Sequence, residues 1–224
     1  MYIKTTTQLL FILILACSCK KNKGKENAPD IKFSNVVILG NSITYSPANA
    51  EVGWNGNWGM AASAPELDFV HLLTEDFKDK NTACVVTAKN IAAFEINYQV
   101  YNFDIELKQI KDLKPDLLII RIGENVKQEG IDSVAFEQKY SSLVDYFKAD
   151  NPNLKILAAG SFWGNPTVDR IMSRHSAFLT LKILGLDMSN YAWGQYMNNG
   201  VASHPSDKGM KAIASLIWSD LISL

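Results

Sequence analysis

Three polar residues lying far apart in the chain could share one reaction: Ser42, Asn125 and His204. A serine hydroxyl attacks a carbonyl carbon when a neighbouring base takes its proton, and a neutral imidazole titrates in the right range for that task. The attack leaves an oxyanion that needs hydrogen-bond donors already in place. The Asn125 carboxamide can supply one, and backbone N–H groups at Ser42 and in the loop after the second strand could supply others. Gly40-Asn41-Ser42 is also an ordinary turn sequence, so the order serine, amide, histidine along the chain says more than any one residue.

Strand ends must carry these groups. Val36-Val37-Ile38-Leu39 is a continuous, β-branched apolar run, as expected of a parallel strand buried on both faces, and it stops at Gly40. Ser42 is therefore expected on a loop at a strand's carboxyl end, where ligands bind in open α/β sheets, with Gly40 permitting the sharp turn. Residues 45–62 read as a long loop. Its Trp54 and Trp58 either wall the site, offering flat faces to sugar rings, or plug the core beneath the loop. Ser63-Ala64-Pro65-Glu66 has capping-box spacing for a helix marked by Leu67, Val70, Leu73 and Phe77.

The alternation continues to the end. Cys84-Val85-Val86 opens a second strand with 87–95 as its exit loop, and Val100, Phe103, Leu107 and Ile110 have the spacing of one helix face. Residues 116–122 form the clearest strand, ending at Gly123-Glu124-Asn125. Phe136, Tyr140, Leu143, Val144 and Phe147 mark another helix, and 155–159 a fourth strand. A helix is expected over 168–184, with a short strand or turn near Leu186-Asp187. Ser206 or Asp207 caps a final helix lined by Met210, Ile213, Ile217 and Leu221, and His204-Pro205 stands in the loop before it. This pattern predicts an α/β fold: a three-layer α/β/α arrangement with a doubly wound, mostly parallel sheet and right-handed crossovers.

At 224 residues with a formal charge of −1, the chain suits one domain and lacks the basic surface that nucleic acid would need. Its amino end is different. Lys4, the apolar run at 9–15 and Ala16-Cys17-Ser18-Cys19 have the form of a secretory signal, too short to span a bilayer. Ile14-Leu15-Ala16-Cys17 resembles a bacterial lipoprotein signal. That resemblance implies a signal peptide at 1–16, lipidation at Cys17 (Cys19 being the alternative), a tether at 17–32 and a domain at 33–224. The protein would then sit in the cell envelope outside the cytoplasm, periplasmic or surface-exposed, held by its lipid alone. A plain signal peptide cleaved nearby would instead leave it soluble. Cys84 is the one cysteine within 33–224, so an internal disulfide is not expected there.

On the residues quoted above, the domain resembles the GDSL-like or SGNH hydrolases. Gly40-Asn41-Ser42-Ile43 is similar to their first block, with asparagine where aspartate is common. Gly123-Glu124-Asn125 is similar to the third block, and His204-Pro205 to the block that holds the catalytic histidine. The resemblance implies a serine esterase with Ser42 as nucleophile, His204 as base and Asn125 in the oxyanion hole. Ala92 falls where the family's oxyanion glycine stands. Val201 occupies the place of the usual aspartate and cannot accept a hydrogen bond through its side chain. Either a backbone carbonyl orients His204, giving a Ser-His dyad, or a carboxylate such as Glu95 or Glu129 substitutes, or the site is inactive. A carbohydrate O-acetyl group is the expected substrate. A lipase or lysophospholipase, or a non-catalytic glycan-binding lipoprotein, is the alternative. No cofactor or metal is expected: His71 and His175 lack ligand-spaced neighbours, and no phosphate-binding loop is present.

Overall fold

The computed structural model describes Tyr2 and residues 32–222. The apolar run, Cys17, Cys19 and nearly all of the expected tether lie outside the described residues. Five strands form one fully parallel sheet in the order β2-β1-β3-β4-β5: β1 (Asn35–Gly40), β2 (Val85–Asn90), β3 (Leu117–Arg121), β4 (Lys155–Ala159) and β5 (Ala177–Leu179). Positions 36–39 of β1 and 117–120 of β3 are all apolar because both faces are covered. Val36, Ile38, Leu117 and Ile119 point into one core, and Val37, Leu39, Leu118 and Ile120 into the other.

The first core is closed by α1 (Phe69–Lys80) and α9 (Asp207–Leu221), which pack against each other. The second lies under α2 (Ala92–Asn97), α5 (Ser133–Lys148) and α6 (Pro166–His175). The short helices are α3 (Phe103–Glu106), α4 (Lys108–Lys111), α7 (Lys182–Gly185) and α8 (Asn199–Ala202), the last packing in a separate small cluster with Trp54. The expected three-layer α/β/α architecture is therefore present. Among the described residues, no helix is long and apolar enough to cross a membrane.

Four local expectations are corrected. The first helix does not start in a capping box at Ser63: Pro65–Leu67 is a 3₁₀ turn, and Asp68 caps α1 by accepting from His71 N at 2.8 Å. Ser63 instead donates to Asp207, while Ser206 caps α9. Strand β2 runs on to Asn90, and α2 occupies the end of what reads as a simple exit loop. The stripe Val100 to Ile110 is broken among a 3₁₀ turn, α3 and α4, leaving Val100 81% exposed while Leu107 is buried. The helix expected over 168–184 ends at His175, because 177–179 pair with β4 as a fifth strand.

One feature of this order positions the site. Strand β1 has β2 on one side and β3 on the other, so the chain leaves the sheet in opposite directions from β1 and β3. Loops after such adjacent strands part and leave a crevice at their carboxyl ends. Ser42 follows β1, and Glu124 and Asn125 follow β3. The register pairs Gly40 with Arg121 at the sheet's upper edge. Gly40 is required for space rather than for a left-handed backbone, since a Cβ there would collide with Thr44 Oγ1 and approach the Arg121 carbonyl.

Candidate active site

Ser42 Oγ lies 2.8 Å from His204 Nε2. The imidazole reaches it from a loop held beside the 190–192 segment, where Ala192 N donates to the His204 carbonyl and Ser206 N to the Asn190 carbonyl. His204 Nδ1 lies 2.8 Å from the Gly200 carbonyl. A carbonyl only accepts, so the proton sits on Nδ1 and leaves Nε2 bare to accept from the serine O–H. Burial pushes the His204 pKa below its ordinary 6.5, against the opposing pull of the Gly200 hydrogen bond and the Glu124 charge. A neutral, correctly tautomerised base thus faces a hydroxyl.

The place of the third triad member is filled by main chain. Val201 is 1% exposed and belongs to an apolar cluster with Trp54, Ala61 and Ala192. The carbonyl one residue earlier, that of Gly200, is what holds the imidazole. Glu129 is an exposed residue after β3. Glu95 is not a surface charge: it is 1% exposed, and its contacts are with Asn41, Gly123 and Asn125, with none to His204.

Beneath the serine lies a buried polar network that sequence reading did not find. Fully buried Arg121 donates to both oxygens of Glu124, at 2.8 and 3.1 Å, and to Asn41 Oδ1. Glu124 also accepts from Asn41 Nδ2 at 2.6 Å and from Phe162 N at 2.7 Å. Asn41 Nδ2 further faces both oxygens of Glu95, at 3.3 and 3.1 Å. Stripping water from a guanidinium costs several kcal/mol unless a partner and full hydrogen bonding compensate, and Glu124 supplies that partner. Burial disfavours the Glu124 carboxylate, but the Arg121 charge and the hydrogen bonds outweigh it and hold the pKa below the usual range. For Glu95, burial and then the Glu124 charge dominate, and the pKa is raised. Asparagine at position 41 suits this setting, since it both accepts from a guanidinium and donates to two carboxylates.

Asn125 donates to Glu95 through its backbone N at 3.2 Å and its Nδ2 at 2.8 Å. The second Nδ2 proton is left for another acceptor. Ala92 sits at the start of α2, where its N–H donates to Asn90 Oδ1 at 2.8 Å. That donor, expected in the oxyanion hole, is engaged within the chain by the Asn90 side chain.

Of the two readings of the tryptophan loop, the structure favours the plug over the substrate-binding wall. Trp54 is 2% exposed, donates from Nε1 to the Ser46 carbonyl, and meets Trp58 and Tyr196 edge-on at 5.5 and 6.0 Å. It is a core plug, packed so closely that a Cβ at Gly56 would overlap its ring. Trp58 is half-buried and tied through Nε1 to the Ala62 carbonyl at 2.8 Å. The aromatic side chain at the site is Trp163, after β4. The residue is 40% exposed, and its ring stands edge-on to His204 at 5.4 Å and donates from Nε1 to the Ser203 carbonyl at 3.1 Å. A tryptophan in an exit loop is a weak signal, and nothing in its spacing singled it out.

A cavity of about 640 Å³ shares Glu95 and Asn125 with this constellation; Ile96, Val100, Val126 and Ile131 line it together with polar residues such as Gln99 and Lys127. His71 and His175 pair instead with Asp68 and Glu137, at 2.9 and 3.2 Å. Among the described residues, no group of three His, Cys, Asp or Glu side chains is placed to hold a metal ion.

No protein-family model matches the chain, and no curated protein matches its sequence. Solved structures share its fold. A two-domain esterase active on acetylated mannans aligns at 20% identity and a TM-score of 0.55, over 85% of this chain and 48% of its own. The salicylyl-acyltransferase SsfX3 from a tetracycline biosynthetic pathway aligns at 15% identity and a TM-score of 0.60, over 86% of this chain and 55% of its own. The psychrotrophic esterase EstA from Pseudoalteromonas sp. aligns at 15% identity and a TM-score of 0.52, over 85% and 97%. The chain thus spans about half the length of the first two.

Proposed function

We propose that this chain is a serine esterase of the SGNH type, working through an acyl-enzyme, with a carbohydrate O-acetyl group as its substrate. The observation that carries this reading is the 2.8 Å pairing of Ser42 Oγ with an Nε2 whose ring is fixed from behind by the Gly200 carbonyl. Nε2 takes the hydroxyl proton as Oγ bonds to the ester carbonyl carbon. The carbonyl oxygen, now negative, accepts from the Ser42 N–H and the remaining Asn125 Nδ2 proton. Collapse expels the sugar oxygen, which leaves with the proton from Nε2. Water then gives a proton to Nε2, adds to the acyl carbon, and acetate departs as Ser42 regains its hydrogen. A carbonyl dipole stabilises the transient imidazolium less than a carboxylate would, so a modest turnover number is expected.

Two observations support a carbohydrate. Trp163 is a partly exposed aromatic residue beside the base, and flat aromatic faces suit sugar rings. The esterase active on acetylated mannans has the same fold. The lipoprotein-like sequence ending at Cys17 fits an enzyme held in the cell envelope. A second reading, a lipase or lysophospholipase, is favoured by the apolar residues among those lining the cavity beside Asn125.

The test combines labelling with turnover. A fluorophosphonate is expected to modify Ser42, with the peptide identified by mass spectrometry, and Ser42→Ala is expected to abolish both labelling and acetate release from acetylated mannan. Absence of label at Ser42 would overturn the esterase reading. A clear preference for long-chain over acetyl aryl esters would select the second one.

A further inference from the structure

We infer that Glu95 is a positioning residue for the oxyanion-binding amide of Asn125, an assignment that rests on the esterase reading above. Its carboxylate stands directly behind that amide. One oxygen accepts from Gly123 N at 2.6 Å and from Asn125 N at 3.2 Å, and the other from Asn125 Nδ2 at 2.8 Å. An asparagine side chain free to turn about its last torsion would sweep its two protons through many directions. Held at both the backbone N and Nδ2, Asn125 has one plane, and its second proton has one direction. A donor fixed before the reaction is worth far more to a developing oxyanion than one that must be recruited.

The same carboxylate accepts from Asn41 Nδ2, and Asn41 immediately precedes Ser42. Asn41 is held as well by Glu124 and Arg121, so the turn that carries Ser42 keeps its anchors when Glu95 is changed. The contacts of Glu95 all bring it N–H donors, which suits an acceptor-only carboxylate. A glutamine would turn one amide NH2 against them. Glu95 makes no hydrogen bond to Ser42 or His204, so its influence on the reaction runs through Asn125. The Arg121–Glu124 pair is the neighbouring charge and is itself bridged to Glu95 by Asn41. An aryl acetate serves as probe, with thermal unfolding to establish that each variant folds.

Glu95→Gln is expected to lower kcat by about 10²-fold, the scale of losing one oxyanion donor, with KM changed by less than about threefold. Asn125→Ala is expected to cost as much. The decisive comparison is the double variant, expected to be no slower than Asn125→Ala alone, because a group acting through Asn125 has nothing left to act on. Losses that multiply, or an unchanged kcat in Glu95→Gln, would overturn the inference while leaving a working esterase. Should Glu95→Gln fail to unfold cooperatively, Glu95→Asp, which withdraws the carboxylate by one methylene, takes its place in the same cycle. Native protein with neither turnover nor label at Ser42 would instead remove the reading beneath it.

Discussion

At the scale of single residues, the protonation of His204 is the most exposed part of the proposed chemistry. The reaction needs a bare Nε2, and burial holds the imidazole pKa below 6.5. The acid limb of kcat/KM on an aryl acetate is therefore expected to have its midpoint below pH 6.5 and to rise with pH, since deprotonation creates the base. A midpoint at or above 6.5 would contradict this environment. The same depression acts on folding: the unfolded chain takes up the proton first as pH falls. The contribution of His204 to stability is complete above about 6.5 and is lost as pH drops towards the folded value. Ser42 and His204 were both legible, because turn-forming and proline neighbours mark them as loop residues at element ends. Glu124 and Asn41 were not, since charged and amide side chains read by default as solvated, and Glu95 was singled out only as a partner for His204, which it does not touch. Arg121 was the available clue. A guanidinium inside the apolar run Leu117-Leu118-Ile119-Ile120, on a strand expected to be covered on both faces, requires an anion, and Glu124 stands three residues away.

At the scale of elements, the short helix before His204 is a packing element. Helix α8 buries Val201 beside the Trp54 plug and leaves the Gly200 carbonyl to meet the imidazole. Val201→Asp is accordingly expected to cost stability, on the order of 3 kcal/mol, rather than to repair a triad, since it places an unpaired carboxyl in an apolar cluster. Chemical denaturation with activity measured in parallel distinguishes the outcomes, and a variant both as stable and faster would contradict the account. The longer elements were readable because their periodicity is sustained: α1, α5 and α9 each present four or more buried residues on one face. The stretch from Val100 to Ile110 was misread as one regular helix face because three- and four-residue turns carry too little repeat to be told from a single amphipathic stripe. Strand β5, three residues long, lay below the same threshold.

At the scale of the whole molecule, the alternation of strand and helix was sufficient to imply layers and a parallel sheet, but not the order β2-β1-β3-β4-β5, which sets β1 beside β3 and opens the crevice. That parallel arrangement has a further geometric result. Every strand begins at one rim and finishes at the other, and six residues of β1 separate Asn35 from Gly40 by about 17 Å. Phe33 packs on Phe77, which packs in turn on Trp218 near the end of α9, so both ends of the folded body gather at the rim remote from Ser42. Coupling a bead ahead of residue 33 should leave turnover of an insoluble polysaccharide close to that of free protein, measured as product per mole of immobilised enzyme, and a severe loss would mean the opening does not face outward. The molecule is thus polarised along its strands, with residue 33 at one rim and Ser42 at the opposite one.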